Sequence, residues 1–266
     1  MLSRLANAEE LPPASAPNKA FNPTAPPPAG PRVNLALALV QRRVNAIDKT
    51  YIEFHPDSWE HVKNFVSNYS EWIFRGQNKA TYGLETSIMR SARIHGVNSG
   101  DLEEYEKSIL RGFQRQAHHF LSTTPNTNET LEWLSIIQHH GGPTRLLDFT
   151  YSFYIACYFA LQDAEEDAVV WCVNKRKLEH CVQTRLPRNQ VNSLELDFKH
   201  PDIFHRAIFG NLKDVMAMPV EPFLKNMRLA IQQGLFIFPF NIIETFENNL
   251  FSTMSNSIEN LKVSVT

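Results

Sequence analysis

Hydrophobic and polar residues recur at helical and strand spacing from about Lys49 onward, which predicts that the folded region begins there. Residues 101–121 carry apolar side chains every three or four positions, and a second helical pattern follows Asn128. Residues 151–161 are apolar nearly all round, as in a buried helix, and residues 168–173 form a short apolar run typical of a buried strand. The pattern predicts one α+β domain in which helices flank a mixed, mainly antiparallel sheet.

The last third of the chain predicts two more strands after a polar excursion. Residues 175–212 are polar in large part and predict an irregular insertion. Residues 215–220 predict one strand, and residues 228–238 predict another, which the Gln-Gln-Gly sequence at 232–234 interrupts. Glutamine is uncommon inside a strand unless it is hydrogen-bonded, so this interruption predicts a bulge or a close approach to a ligand.

The first 46 residues differ from the rest of the chain because they are rich in proline and alanine. Residues 12–17 and 23–28 hold proline too densely for a helix or a sheet. We therefore predict a disordered extension at 1–46 and a single folded domain at 47–266.

Composition limits the classes of partner and the compartment. Twenty-six basic and 28 acidic residues leave a net charge of −2, so no bulk field draws the protein to nucleic acid or to an anionic membrane. The three cysteines lie in or beside apolar segments without a C-x-x-C pair, which favours reduced thiols in a cytoplasmic protein. The longest apolar runs are too short to span a bilayer, and histidine and cysteine lack zinc-ligand spacing. We expect no membrane association and no metal.

One arginine stands within an aromatic and aliphatic run, at Trp72-Ile73-Phe74-Arg75-Gly76-Gln77. As a strand, this run places Ile73 and Arg75 on the same face and ends at Gly76. A buried guanidinium needs a carboxylate, a phosphate or several acceptors, because an unpaired buried charge is very costly. Arg75 is therefore predicted to hold a partner or a ligand.

The densest group of reactive side chains lies at 138–150, where glycine and proline predict a rigid loop after a helix. A structural interpretation exists for each member: His139 and His140 can satisfy helix carbonyls, and Thr150 or Ser152 can cap the next helix. Arg145 and Asp148 can likewise form an internal ion pair. As a group, these polar side chains beside an apolar helix are typical of a binding pocket.

Four motif blocks in this order resemble the FRG domain family. They are Phe74-Arg75-Gly76, the His-His-Gly to Asp segment at 139–148, the Ala-Cys-Tyr-Phe-Ala helix at 156–160, and Gln-Gln-Gly-Leu-Phe at 232–236. The resemblance extends over roughly residues 50–240 and implies little settled biochemistry.

The order of the parts is also similar to that of ADP-ribosyltransferases, which would imply a split sheet. In that resemblance a strand bears an NAD-holding arginine, a hydroxyl-bearing strand precedes a helix, and a late strand carries a catalytic glutamate. The matching catalytic positions are Arg75, His140, Thr150 and Gln233. The implied positions for NAD, as substrate, are Arg75, Gln77, His139, Thr144, Arg145, Asp148 and Ser152. Gln233 departs from the pattern because an amide cannot act as a base.

Three functional hypotheses stay open on the sequence. The first is an NAD-dependent ADP-ribosyltransferase-like effector of the toxin or phage-defence type, which would modify a protein or nucleic-acid acceptor. The second is a non-catalytic module that binds a nucleotide or a protein partner through the pocket of Arg75, His140 and Gln233. The third is a structural domain in which Arg75 and Asp148 form an internal ion pair.

Overall fold

The fold is built on one seven-stranded sheet in the part of the chain that the structure, a computed structural model, describes: residues 51–67, 71–186, 201–254 and 260–265. The strands are β1 (Ile52–Phe54), β2 (Trp72–Gln77), β3 (Leu147–Thr150), β4 (Val169–Asn174), β5 (Ala217–Val220), β6 (Gly234–Pro239) and β7 (Asn260–Ser264). They lie in the order β1-β7-β4-β2-β3-β6-β5.

Helices flank this sheet and connect its strands. They are α1 (Trp59–Val66), α2 (Ser87–Ile94), α3 (Leu102–Gln116), α4 (Thr130–His139), α5 (Phe153–Leu161), α6 (Lys175–Arg185), α7 (Pro201–Phe209), α8 (Met227–Ile231) and α9 (Phe246–Thr253). The predicted helices at 101–121 and after Asn128 are confirmed as α3 and α4. Gly141, with φ of 80°, follows the end of α4, where the backbone needs the left-handed region.

Antiparallel pairing dominates the sheet, and β1 with β7 is the parallel pair among the described strands. β2 pairs with β4 along its whole length, as β3 does with β6. In contrast, β2 and β3 pair only at Phe74 and Thr150. The predicted α+β class with a mainly antiparallel sheet is confirmed, and the sheet is continuous but narrow at the β2–β3 junction.

The core has two large apolar clusters. Ile73, Trp171 and Val173 from the middle strands pack in one cluster with Leu250 and Met254 of the C-terminal region. The second cluster joins α3, α4 and α7 to β5 and β6, and includes Leu110, Leu134, Phe204, Met218 and Phe238. The clusters account for the predicted strands at 168–173 and 215–220, which are confirmed as β4 and β5 and are buried except for Asn174 at the end of β4.

Gly76 lies inside its strand, which corrects the prediction that it ends the strand. It pairs with Val170, and β2 continues to Gln77. A Cβ atom at position 76 would lie 2.0 Å from the carbonyl oxygen of Ala156 and 2.6 Å from the nitrogen of Ala160. Glycine is needed here because the backbones of β2 and α5 approach closely.

The outer side of α5 is exposed, which corrects the prediction of a helix that is buried all round. Phe153, Ala156 and Ala160 are buried, whereas Tyr154 is 58% exposed and Tyr158 is 60% exposed. Apolar composition alone does not separate the two sides, because aromatic residues such as tyrosine carry a polar hydroxyl and tolerate the surface.

Two other stretches differ from their predicted structure. The predicted irregular insertion at 175–212 contains α6 and α7, while residues 187–200 lie outside the described residues. The predicted interrupted strand at 228–238 is a helix, α8, followed by a strand, β6. The side chain of Asn226 accepts a hydrogen bond from the nitrogen of Leu229 and caps that helix, which apolar spacing does not reveal.

The described residues all belong to the compact unit Val44–Thr266. The predicted extension at 1–46 lies outside the described residues, so its boundary stays a prediction. Within the described ranges, the helices are all too short or too polar to cross a membrane.

Candidate functional site

The β2–β3 junction positions Arg75. Phe74 and Thr150 form the only backbone pair between these two strands. Arg75 is the next residue of β2 and lies where the two backbones no longer pair. The carbonyl oxygen of Asp148 accepts a hydrogen bond of 2.8 Å from Arg75 Nη1. The same nitrogen lies 3.9 Å from Asp148 Oδ2. The side chain therefore bridges the two strands where their backbones do not pair.

The rest of the Arg75 guanidinium is incompletely satisfied by the described residues. Its Nε atom is buried and has no hydrogen-bond partner. Burial lowers the pKa of Arg75, the Asp148 carboxylate opposes this change, and repulsion from Arg90 adds to it. Arginine remains charged at neutral pH, so a buried donor without an acceptor identifies a place that an anionic ligand would stabilise.

A cavity of about 930 Å³ opens beside Arg75. Its walls come from β2 and β3, from residues 78–85, and from parts of α2 and α5, with contributions from the segments around Arg228 and Thr245. Sites for small molecules typically occupy about 300–1,000 Å³, so this cavity is large enough for a ligand with several chemical groups.

Arginine is the dominant charged residue of the cavity wall. Arg75, Arg90, Arg93 and Arg228 line it together with the carboxylates of Glu85, Asp148 and Glu247. Arg93 is neutralised by Glu85 through bonds of 2.8 and 3.2 Å. Arg90 donates to the carbonyl oxygen of Glu85 at 2.6 Å and has no carboxylate partner among the described residues, as is also true of Arg228.

Gln77 also lines the cavity, and both polar atoms of its side-chain amide are hydrogen-bonded to protein groups. Its Nε2 donates to the carbonyl oxygen of Gly83 at 3.0 Å, and its Oε1 accepts from Trp171 Nε1 at 2.6 Å. Gln77 fixes the position of the 78–85 loop against the sheet. Asp148 is the other predicted residue that the structure brings to Arg75.

Arg145 does not line this cavity, which corrects its predicted role in binding. It is fully buried and forms a two-pronged ion pair with the buried Glu106, in which Nε donates to Oε1 at 2.7 Å and Nη2 donates to Oε2. Its Nη1 donates to the carbonyl oxygens of Pro239 and Phe240 at 3.1 and 3.0 Å. The guanidinium is saturated by protein groups and ties α3 to the end of β6.

The three predicted hydroxyl residues serve the fold. Thr144 is buried, donates to Gln138 Oε1 and accepts from the nitrogen of Leu146 at 3.1 Å. Thr150 borders the cavity but donates to the carbonyl oxygen of Gln232 at 2.7 Å. Ser152 caps α5 by accepting from the nitrogen of Ile155 at 3.4 Å, which confirms the capping interpretation.

The histidines and Gln233 are not brought to the main cavity. The exposed ring of His140 lies 6.1 Å from that of Phe113 and 5.6 Å from that of Phe120. His139 borders a neighbouring depression of about 110 Å³, which shares Asp148, Arg228 and Gln232 with the main cavity. These placements correct the predicted pocket of Arg75, His140 and Gln233.

Gln232, rather than its neighbour, reaches the cavity from the turn before β6. Gln233 is exposed and takes a positive φ of 48°, where its nitrogen donates to the carbonyl oxygen of Ala230 at 3.1 Å. The helix-to-strand turn therefore reverses the side-chain order expected for a continuous strand.

Sequence reasoning did not select Arg90, Arg228, Glu85 or Glu247. Arg90 and Arg228 lie on the helices α2 and α8, where a charged residue is usually part of a solvated helix face. Glu247 lies on α9, after the last of the motif blocks. Only the folded chain brings these residues to β2.

The thiols and the metal-ligating residues offer no second reactive centre in the described ranges. Burial raises the pKa of Cys157 to about 12 and also raises that of Cys172. No group of three or more histidine, cysteine or acidic residues in the described part of the chain could hold a metal ion. Thiolate chemistry is therefore not supported by these two cysteines.

The fold and cavity define an α+β protein with an arginine-lined site at a narrow junction of its sheet. Residues 70–168 match the family model of the FRG domain. The matched residues extend from just before β2 to just before β4 and include both Arg75 and Asp148. No curated protein and no solved structure has significant similarity to the chain.

Proposed function

We propose that the chain binds NAD in the Arg75 cavity and transfers its ADP-ribose to an acceptor. The observation that carries the proposal is the convergence of Arg75, Arg90 and Arg228 on one cavity, with a buried Arg75 Nε that lacks an acceptor. Guanidinium groups bind phosphate oxygens in pairs of hydrogen bonds, and a pyrophosphate offers such oxygens on adjacent phosphorus atoms.

The positions of the strands support this proposal. The parts implied by the resemblance to ADP-ribosyltransferases lie on β2, β3 and at the start of β6, which are neighbours in the sheet. Arg75 and Thr150 both border the cavity, and Gln232 borders it where the resemblance points to Gln233. In this proposal Arg75 and Arg90 hold the pyrophosphate, and Tyr82 and Phe159 on the cavity wall supply flat apolar surface for a base.

A second candidate function is a nucleotide-binding module without catalysis. It is favoured by one observation, the placement of Gln233 outside the cavity in an exposed turn. In that case the arginines would bind the same ligand, and no bond would break. The effector role, in toxin action or phage defence, and the cytoplasmic location stay predictions from the sequence.

Incubation of the full chain with NAD labelled in the adenylate part, with and without cell extract, separates these candidates. Transfer of label to a macromolecule together with release of nicotinamide supports the transferase. Saturable NAD binding without nicotinamide release supports the binding module. If the chain neither binds NAD nor releases nicotinamide, both candidate functions are refuted. The remaining interpretation is then that Arg75 and Asp148 serve the fold alone.

A further inference from the structure

The cavity contains one carboxylate that the protein orients but does not neutralise. Glu247 borders the cavity, and its Oε1 accepts a hydrogen bond of 2.8 Å from the nitrogen of Leu84. A Cβ atom at Gly83 would lie 2.9 Å from that oxygen, so glycine allows the close approach of this carboxylate to the loop. The bond to Leu84 fixes one carboxylate oxygen.

The two other carboxylates of the cavity already have cationic partners. Both oxygens of Glu85 accept from Arg93, and Asp148 Oδ2 lies 3.9 Å from Arg75 Nη1. Glu247 forms no ion pair with any described residue, and its Oε2 accepts no hydrogen bond from one. Glu247 Oε2 is therefore available to accept a hydrogen bond from a ligand in the cavity.

We infer that Glu247 is the carboxylate that acts on the ribose next to the bond that breaks. The inference rests on the proposed function, and it assigns the role that Gln233 cannot fill from its exposed turn. The cavity combines phosphate-binding cations with one available carboxylate, which fits a ligand that carries both a pyrophosphate and a sugar diol. A carboxylate accepts hydrogen bonds from such hydroxyls and stabilises positive charge on the sugar as its leaving group departs.

The transfer step balances with the groups named. The bond between the ribose carbon C1′ and the nicotinamide nitrogen breaks, and its electron pair neutralises the charge of that ring. A hydroxyl or amine of the acceptor, or water in the slow hydrolytic reaction, forms the new bond to C1′. Glu247 accepts the proton that the nucleophile loses and passes it to solvent.

The variant Glu247→Gln tests the inference because its amide oxygen can still accept from the nitrogen of Leu84. We expect NAD affinity within about threefold of the wild type, measured by calorimetry, with nicotinamide release slowed by a factor on the order of 100 or more at unchanged KM. Glu244→Gln is the matched control, since it removes one negative charge three residues away, outside the cavity lining. We expect it to retain the wild-type rate.

Two outcomes overturn the inference and differ in what they imply. A rate for Glu247→Gln within threefold of the wild type removes Glu247 from the reaction and leaves NAD binding and transfer intact. A wild-type chain that binds NAD but releases no nicotinamide excludes catalysis by Glu247 and supports the binding module. Retained NAD affinity and an unchanged circular-dichroism spectrum show that Glu247→Gln is folded, so a loss of rate in that variant reports on the carboxylate and not on the fold.

Discussion

Glu106 is predicted to be essential for stability although it lies on a charged helix. The pair of Glu106 and Arg145 is almost fully buried, with exposures of 2% and 0%. Glu106→Gln keeps the size of the side chain but removes its charge and directs an amide nitrogen toward the guanidinium. Arg145 would keep the carbonyl oxygens of Pro239 and Phe240 and lose its counter-charge.

The magnitude follows from this burial. Breaking a buried ion pair by changing one partner costs about 3–5 kcal/mol, because the other charge stays buried without compensation. The free energy of unfolding of an ordinary domain is about 5–15 kcal/mol, so this cost is a large part of it. With a urea dependence of about 2–3 kcal/mol per molar, the unfolding midpoint should fall by about 1–2.5 M.

Equilibrium urea unfolding, followed by circular dichroism, measures this shift. Glu104→Gln on the same helix is the matched control, because Glu104 lies at the exposed surface, where it pairs with Lys107. We expect no measurable shift for that variant. A double change, Glu106→Leu with Arg145→Met, should recover most of the lost stability, since it leaves no unpaired charge. Equal midpoints for Glu106→Gln and Glu104→Gln would refute the structural role assigned to Arg145.

Two further predictions concern the packing of α5. Gly76→Ala should destabilise the domain by several kcal/mol or prevent folding, because the new methyl group meets backbone atoms at 2.0 and 2.6 Å. The control Gly112→Ala, in open space on α3, should instead stabilise the domain by about 0.5–1 kcal/mol. Similar unfolding midpoints in urea for the two variants would contradict the close approach of β2 and α5. Because burial raises the pKa of Cys157 to about 12, its thiolate fraction stays small through pH 9, and alkylation followed by peptide mass spectrometry should label it far more slowly in the folded than in the urea-unfolded chain. Equal labelling rates at pH 8 would contradict this burial.

The main elements of the fold follow from sequence because their apolar patterns are strong and local. The pairing of Arg75 with Asp148 was among the hypotheses because both lie in motif blocks. An internal ion pair is also a hypothesis for Arg145, but with Asp148, and the structure corrects the partner to Glu106. A signal for that partner exists, because Glu106 is a lone carboxylate in the apolar stripe of α3 with Leu102, Ile109 and Leu110. Two arginines in apolar surroundings look alike until their partners are known.

The rest of the site depends on long-range assembly. The exposed turn of Gln233 follows from a short capped helix, which a reading of residues 228–238 as one strand cannot anticipate. Glu247 reaches the cavity because α9 packs against the 78–85 loop, a contact between segments 163 residues apart. Neither residue carries a local pattern that distinguishes it from a solvated or core position.

Calorimetric titration of NAD into the wild-type chain and the Arg75→Met variant tests the central claim most directly. Loss of a charged hydrogen-bond donor costs about 1.5–3 kcal/mol, so Arg75→Met should weaken binding about 10- to 100-fold. Arg176→Met, which removes a surface charge paired with Glu71, should bind as the wild type does. Unchanged affinity in a folded Arg75→Met variant, or equal weakening by Arg176→Met, would contradict a ligand site at Arg75.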